Sequence, residues 1–464
     1  MRHLWIPVYI YFNELFINLL NNQGTNPNEL AGSNTAVIIG CHSSSDTHHG
    51  LYEEMIDISP FALTGCQATM LANRISYNLD INGPSYTIKS SGTSSAQAFN
   101  DAITHIKYGD CDSALVCGTM LDLRPTNILL YDTNKMLSRD GKCKFLDANA
   151  DGYVRSESCC VLYLQKSSDA KRIYASVVGI KSNNNGFKEE GPLFPSYKAQ
   201  YLLMKSTLKE ANIDPNSVQY IEANGTGIQL EDQCECEAIA RAYCEDRCVP
   251  LLVGSIKTNM GHCEAASTLA SIAKVLITFE TGVIPASLHF TAPNPYIPAL
   301  INGIIKPVVE NTEFNDGIVA INSFDSEGNN VHILLRPNTN KKSEMSIKLP
   351  RLIPLFGRTN DCLNYLASFC AKNSTKINTN FLYMLNDIAN ISGMNFRDYL
   401  LIDEENNHDN TPEQDLNDSF EKITDRRPLW FIFSGKLNKI QGCARCVFCV
   451  STYQGFECIL VILF

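Results

Sequence analysis

The stretch GPSYTIKSSGTSSAQAF, residues 83–99, has the form of a nucleophile turn. A Gly-Pro turn leads through a short extended piece into a tight bend, and a helix with small residues follows. Such a bend holds one reactive side chain at a helix N-terminus, where backbone N–H groups and the helix dipole favour a developing negative charge. The crest of this bend is Gly92, which has no side chain. The sequence thus predicts a catalytic type of turn without its nucleophile.

A second stretch, NMGHCEAASTLASIAKVL, repeats the same plan of a Gly-containing bend before an Ala-rich helix. Short apolar runs that alternate with amphipathic helical segments predict buried strands, and an α/β layered fold follows from that alternation. The predicted strands are 35–40, 113–119, 217–223, 251–256, 317–323 and 331–335, and the clearest helices are 94–108 and 264–280. The repeated plan favours a duplicated βαβ architecture.

Composition excludes several functions. The 464 residues carry a net charge of −11 without a basic stripe, so nucleic acid is not an expected partner. No stretch reaches the roughly 20 apolar residues of a membrane span. The start, LWIPVYIYFNELFINLL, resembles a signal peptide, but Pro7, Asn13 and Glu14 interrupt it and no cleavage site follows.

The 18 cysteines are scattered, often within apolar runs, which is typical of reduced thiols in a cytoplasmic protein rather than of a disulfide framework. Cys443, Cys446 and Cys449 have metal-like spacing but lack a clear fourth ligand. We favour a non-native end of the chain over a zinc site, and we expect no bound metal.

Five ordered stretches resemble the β-ketoacyl synthase domain of animal type I fatty acid synthase. They are residues 62–85, 136–157, 186–196, 221–227 and 253–267. The resemblance implies a thiolase-like fold, a duplicated α-β-α-β-α layered α/β structure that dimerises, with a small α+β linker segment after about residue 345.

The resemblance also implies a reaction. A cysteine accepts the growing acyl chain, and two histidines help a malonyl group on the acyl carrier protein to lose CO2 and attack the thioester. The chain itself would need no cofactor, because the substrates, acyl and malonyl thioesters, are carried on the phosphopantetheine of that acyl carrier protein. Expected partners are the carrier domain and either a second copy of the chain or a full-length synthase.

Carried over residue by residue, the family's motifs expose departures. Gly92 stands at the position of the nucleophilic cysteine, Lys89 where the family has Asp, and Asn224 at the position of the first histidine. A serine or threonine stand-in, Ser91 or Thr93, projects from a different point of the bend and lacks a dedicated base.

Other family positions are kept or altered. His262 occupies the position of the second histidine, and Lys257 and Glu264 occupy their family positions. Thr226 also stands at a family position, where we expect it to support the site. The gating phenylalanine is replaced by Ser326, with acidic residues on both sides, which are unfavourable beside an apolar acyl chain. The pattern indicates lost selection on catalysis.

We expect the following organisation. Residues 1–24 form an atypical N-terminus that replaces the family's first strand–helix region and leaves a core strand unpaired at its edge. The remaining parts are a synthase-like domain at 25–337, a linker region at 338–426, the start of an acyltransferase domain at 427–435 and an atypical tail at 436–464.

Four functional hypotheses follow. The first is a condensation-dead synthase domain, and the second is a non-catalytic module that pairs with an active synthase or binds acyl carrier protein or acyl groups. The third is a malonyl decarboxylase, which Asn224 disfavours because an amide cannot exchange a proton near neutral pH. The fourth is a working synthase whose Gly92 and Asn224 are sequence errors, which the altered gate and Lys89 disfavour.

Overall fold

The structure, a computed structural model, divides into two compact units, Met1–Lys341 with Glu457–Phe464, and Lys342–Phe456. It describes residues 15–16, 19–20, 27–42, 67–122, 125–170, 172–338, 351–373, 381, 385, 388, 396–402 and 458–463. The predicted acyltransferase start at 427–435 and the group of Cys443, Cys446 and Cys449 lie outside the described residues, as does most of 1–24.

The larger unit alternates strands and helices as the apolar pattern predicts. Its strands are β1 Thr35–Cys41, β2 Ser85–Ile88, β3 Ser113–Met120, β4 Ser158–Lys166, β5 Ala175–Asn184, β6 Val218–Glu222, β7 Leu251–Gly254, β8 Val283–Ile284, β9 Ile305–Pro307, β10 Thr312–Glu313, β11 Ile318–Phe324, β12 Asn329–Pro337 and β15 Cys458–Leu463. Its helices are α1 Thr69–Leu79, α2 Ser94–Tyr108, α3 Pro125–Thr133, α4 Tyr197–Ala211, α5 Gln229–Tyr243, α6 Lys257–Met260, α7 Ser267–Thr281 and α8 Pro298–Ile301.

Two half-sheets have the same strand pattern, so the predicted duplication is confirmed. In the first half, β2 and β3 lie parallel to β1 on either side, and β4 follows antiparallel to β3. In the second half, β7 and β11 lie parallel to β6, and β12 follows antiparallel to β11. The second half ends with β5, antiparallel to β12.

The place equivalent to β5 in the first half is occupied by the C-terminal strand. β15 lies antiparallel to β4 and also pairs with β5, which joins both halves into one 11-stranded sheet. The expectation that a core strand of the first half lacks a partner at its edge stays a prediction: β2 has β1 as its one partner among the described strands, whereas β15 unexpectedly pairs with β4. Sequence separation hid this pairing, because nearly 300 residues lie between β4 and β15.

Helices cover both faces of each half-sheet. Alternate residues of β1 face opposite sides, with Ala36 and Ile38 in the cluster that includes α2 and α7, and Val37 and Ile39 in the cluster that includes α1. β11 alternates in the same way between the α2–α7 layer and the layer of α4 and α5. The buried core therefore lies in layers, with α2 and α7 in the middle.

The two central helices begin and end alike. Each has 15 residues, follows a 3-10 turn (Ser91–Thr93 or Glu264–Ala266), and starts with a serine. Gly109 and Gly282 end them in the left-handed conformation, at φ of 81° and 70°, which glycine adopts without strain. The predicted helix 94–108 is confirmed, and the second is shorter at its start, because residues 264–266 form the 3-10 turn.

The smaller unit is an α+β segment, as expected after about residue 345. Strands β13 Arg351–Gly357 and β14 Phe396–Ile402 pair antiparallel, and α9 Asn360–Lys372 packs against them. Thr359 begins α9 as its N-cap, with a hydroxyl that accepts the N–H of Cys362.

Among the described residues, no helix is long and apolar enough to cross a lipid bilayer. The cysteines that the structure describes are free thiols, and most of them are buried.

Candidate active site

Gly92 lies in the 3-10 turn that precedes α2, where the sequence predicts the crest of a bend. The Ser94 hydroxyl accepts the N–H of Ser90 at 2.8 Å and donates to the carbonyl of Ser91 at 2.7 Å, which closes the bend. A Cβ added at Gly92 would meet the Cβ of Asp325 at 3.5 Å and Cε1 of His262 at 4.0 Å. These are ordinary van der Waals contacts, so the position has room for a side chain facing His262.

His262 lies just before α7, on the symmetry-equivalent bend, and is buried. The backbone N–H of Glu264 donates to its Nδ1 at 3.0 Å, and the Ser267 hydroxyl lies 2.9 Å from the same atom. Because Nδ1 accepts, the ring proton belongs on Nε2. Burial lowers the pKa of His262 well below its usual value, and the cations Lys257 and Arg155 lower it further. The imidazole is therefore a neutral hydrogen-bond donor.

Asn224 follows β6 and is held by the buried Lys257. The Lys257 Nζ donates to the Asn224 carbonyl at 2.6 Å and to Oδ1 at 3.0 Å. Burial lowers the pKa of Lys257, although the carboxylates of Glu235 and Glu222 oppose that shift. The side chain of Asn224 is thus oriented, and its amide can donate but cannot take up a proton.

The backbone after Asn224 depends on a glycine and a buried carboxylate. Glu235 accepts the N–H groups of Asn224 and Gly225 at 2.8 and 2.9 Å. Gly225 has a φ of 47°, and a Cβ there would come within 2.8 Å of Phe145 Cδ2. Both the conformation and the close packing therefore require glycine at this position.

Glu264 adopts a positive φ of 38° and belongs to a buried ion network rather than to the catalytic face. Its carboxylate lies 2.8 Å from Arg155 Nε and 3.5 Å from His42 Nδ1. Arg155 Nη1 also lies 3.0 Å from Asp122, and its guanidinium stacks 4.7 Å from the ring of Tyr131. This network supports the backbone of the His262 bend.

The hairpin between β11 and β12 closes over the Gly92 bend. The Asp325 carboxylate accepts the Thr93 hydroxyl at 3.0 Å and the N–H of Asn329 at 2.7 Å. The Thr93 hydroxyl also lies 2.8 Å from the carbonyl oxygen of Ser90, an alternative acceptor for its one proton. Thr93 is therefore buried and engaged in a structural contact, which disfavours it as a stand-in nucleophile.

A cavity of about 320 Å³, its mouth included, adjoins these elements. It brings together three predicted site residues, Asn224, Thr226 and Ser326, with carboxylates that the motif comparison did not single out. Glu231 is one of them, and its Oε2 accepts the Thr226 hydroxyl at 2.8 Å. Burial raises the pKa of Glu231, and the Thr226 hydroxyl only partly offsets that shift. The remaining lining residues are Leu193, Pro195, Gln200, Asp232, Glu235, Phe324 and Asp325.

The structure thus brings Gly92 and His262 together, Asn224 and Lys257 together, and Thr226 beside Glu231. Lys89 lies exposed beyond β2. The sequence does contain a signal for the acidic residues of the cavity lining that the motif comparison missed. Glu231, Asp232 and Glu235 fall within five residues at the start of α5. No local pattern marks Gln200, which reaches the cavity only through the packing of α4.

The loop that carries Phe145 is held by Asp147. The Asp147 carboxylate accepts the Thr291 hydroxyl at 2.7 Å and the backbone N–H groups of Ala292 and Asn149 at 2.9 and 2.8 Å. Burial alone would raise the pKa of Asp147, but these donors together lower it to about 2. The folded state therefore favours the ionised form.

Asp147→Asn is expected to lower the free energy of unfolding by roughly 2 kcal/mol at pH 7, since each pKa unit corresponds to about 1.4 kcal/mol. The stabilisation by the ionised Asp147 carboxylate is fully present above the ordinary aspartate pKa and is lost as the pH falls through about 2. Urea unfolding between pH 7 and pH 2.5 should show the variant's deficit shrinking with acidification. The exposed Asp112→Asn is the control, and an equal deficit there would contradict this role.

Comparison with known proteins accounts for the paired bends. The chain matches the β-ketoacyl synthase N-terminal domain over residues 7–170, the C-terminal domain over 174–291 and the ketoacyl-synthetase C-terminal extension over 293–401. It is 42% identical to a fatty acid synthase of Anser anser anser over 281 residues, 61% of this chain and 80% of that sequence. The chain belongs to the β-ketoacyl synthase family. The predicted resemblance is confirmed at this level.

Fungal polyketide synthases are also similar. The highly reducing polyketide synthase gloL of Glarea lozoyensis is 36% identical over 289 residues, which cover 60% of this chain. The chain spans only 11% of the length of that relative.

Solved ketosynthase structures share the fold. The oxazolomycin ketosynthase domain OzmH KS7 of Streptomyces albus superposes with a TM-score of 0.75 at 26% identity, covering 85% of this chain and 71% of that one. A ketosynthase from module 6 of the bacillaene synthase of Bacillus subtilis gives 0.70 at 26% identity, covering 83% and 67%. The predicted thiolase-like fold is confirmed.

Proposed function

We propose that this chain is a β-ketoacyl synthase domain of the fatty acid synthase type that no longer catalyses condensation. One observation carries the proposal: the bend at the start of α2 faces the neutral His262 with Gly92, which has no nucleophilic atom. Without a thiol at this bend, no acyl-enzyme thioester forms there.

The second half of the reaction is also weakened. Decarboxylative condensation requires donors aimed at a developing enolate oxygen, and removal of one such donor costs a factor of about 10²–10³. His262 keeps an N–H donor, whereas the Asn224 amide is shorter than an imidazole, has its Oδ1 bound by Lys257 and cannot exchange a proton. Malonyl decarboxylation alone would rest on the same pair, so we expect little turnover of malonyl-acyl carrier protein to acetyl-acyl carrier protein.

A second candidate is a non-catalytic partner that dimerises or binds acyl carrier protein. Two observations favour it: the central helices retain a fully buried core, and β2 pairs only with β1 among the described strands. The open edge of β2 suits a strand from a second copy or from a full-length synthase. In this role the chain would act in the cytoplasm and contact the phosphopantetheine of the carrier.

The test is incubation with radiolabelled acyl-coenzyme A or acyl-acyl carrier protein, followed by a gel under thiol-free conditions. We expect no stable label on residues 89–95 of the wild-type chain, and no β-ketoacyl product. A stable label mapped to that segment would contradict the proposal, whereas co-purification with an active synthase without label would favour the second candidate.

A further inference from the structure

The carboxylate of Asp325 lies beside the Gly92 bend. Its Oδ2 is 3.0 Å from the Thr93 hydroxyl oxygen, and the Asp325 Cβ is 3.5 Å from the Cβ that a side chain at Gly92 would have. The other near neighbour of that added Cβ among the described residues is His262, at 4.0 Å. Gly92 itself is only partly buried. A small group that reaches the bend would therefore have the Asp325 side chain and the His262 ring as neighbours.

The hairpin between β11 and β12 holds this carboxylate in place. Asn329 donates its backbone N–H to Asp325 Oδ1 at 2.7 Å and its side-chain N–H to Oδ2 at 3.2 Å. The main chains of the same two residues are also joined, because the Asp325 N–H donates to the Asn329 carbonyl at 3.0 Å. The Asp325 side chain cannot turn away from the bend without losing these side-chain hydrogen bonds.

The described residues supply no paired cation to Asp325. No lysine or arginine among them forms an ion pair with it. The neighbouring His262 is neutral, because burial lowers its pKa well below the usual value. Burial raises the pKa of Asp325, whereas the hydrogen bonds from Asn329 lower it. At pH 8, about four units above the ordinary aspartate pKa, we expect the carboxylate to be ionised.

A fixed negative charge at this place discriminates between ligands by their charge, because repulsion between like charges is strong where protein lowers the dielectric constant. We propose that Asp325 makes the Gly92 bend select small neutral groups, such as an acetyl group, and exclude groups that carry a carboxylate, such as a malonyl group. The inference rests on the proposed function, since it takes the bend as the place where an acyl group would lie, and adds a charge preference to it.

The test uses Gly92→Cys in the full chain as a reporter thiol and compares its alkylation by iodoacetate and by iodoacetamide at pH 8. In both reactions the thiolate sulfur attacks the methylene carbon, and iodide leaves with the bonding electron pair. The reagents are similar in size, but only iodoacetate is charged. The ratio of the iodoacetate rate to the iodoacetamide rate therefore measures the charge at the bend, and it does not depend on the fraction of thiolate.

Peptide mapping gives the same ratio at the exposed Cys248 and Cys362, which corrects for the chain's net charge of −11. We expect the ratio at position 92 to be at least about fivefold lower than at these two cysteines. Asp325→Asn, added to the reporter chain, should raise the ratio at position 92 roughly 5- to 20-fold. Glu327→Gln removes an exposed carboxylate from the same hairpin and is the matched control, with a change of less than about twofold because solvent and salt screen that charge.

Two results would overturn the proposal: a ratio at position 92 that is no lower than at the exposed cysteines, and an unchanged ratio in a folded Asp325→Asn variant. If Asp325→Asn does not fold, the salt dependence of the reporter chain decides. The ratio at position 92 should rise more steeply than at Cys248 between about 0.02 M and about 0.5 M sodium chloride, because salt screens the repulsion; an equal rise would contradict the role of Asp325. The proposed function fails on a different observation, an acyl label on residues 89–95 of the wild-type chain, so the two failures are distinguishable.

Discussion

The Gly92→Cys variant is expected to accept an acetyl group from acetyl-coenzyme A as a thioester, while the wild-type chain remains unlabelled at residues 89–95. The added side chain fits, since among the described residues its Cβ meets only Asp325 at 3.5 Å and His262 at 4.0 Å. The new thiol would lie at the N-terminus of α2, where helix N–H groups favour the thiolate. The neutral His262 would donate toward the thioester oxygen.

The measurement is radiolabel incorporation with peptide mapping, because Cys248 and Cys362 are exposed and could also react. Gly92→Ser is the matched control, since it fills nearly the same space with a hydroxyl that lacks a general base. Equal labelling of Gly92→Ser and Gly92→Cys, or a label on the wild-type bend, would contradict the expected result.

Acylation alone should not restore condensation. Asn224 still lacks an imidazole, so Gly92→Cys/Asn224→His is expected to form β-ketoacyl product at least about 100-fold faster than Gly92→Cys. Product formation from malonyl-acyl carrier protein measures this difference. Equal rates in the two variants would show that Asn224 does not limit the reaction.

The elements that position the site are predictable from local sequence. The helix α2 is predicted at its observed bounds, because Ala96, Phe99, Ile103 and Ile106 recur at helical spacing and Gly109 ends it. The predicted strands are all observed, with ends shifted by a few residues. These signals are local, so a single sequence carries them.

The features that the sequence did not predict depend on distant contacts. Three such features join residues far apart in the chain: the pairing of β15 with β4, the hydrogen bond from Thr93 to Asp325, and the presence of Gln200 and Glu231 in the lining of one cavity. No periodicity or motif specifies such pairs. Only the fold reveals that Glu231, Asp232 and Glu235 line one cavity with Asn224.

The second large effect is expected at Arg155, which supports the His262 bend. Arg155→Met should lower the free energy of unfolding by about 3–5 kcal/mol, because it leaves the carboxylates of Glu264 and Asp122 buried without their cation. The side chains of Arg155 and Glu264 are only 5% and 6% exposed. Urea unfolding at pH 8 measures the loss.

The matched control is Arg139→Met. Arg139 also pairs with a carboxylate, that of Asp132 at 3.4 Å, but its side chain is 73% exposed. Exposed pairs contribute about 0–1 kcal/mol, so this variant should be nearly as stable as the wild type. Equal losses in the two variants would contradict the assignment of Arg155 to a buried network.

Two further observations separate the charge effect from lost packing. Burial raises the pKa of Glu264, with Arg155 and His42 opposing the shift, so removal of Arg155 should raise that pKa further. A raised carboxyl pKa makes ionisation costly in the folded state, and protonation at lower pH removes that cost. The deficit of Arg155→Met should therefore be smaller at pH 5 than at pH 8. Arg155→Met/Glu264→Leu should likewise be more stable than Arg155→Met alone, because it removes the uncompensated carboxylate. If the loss of unfolding free energy is independent of pH and is larger in the double variant, lost packing rather than lost charge is its cause.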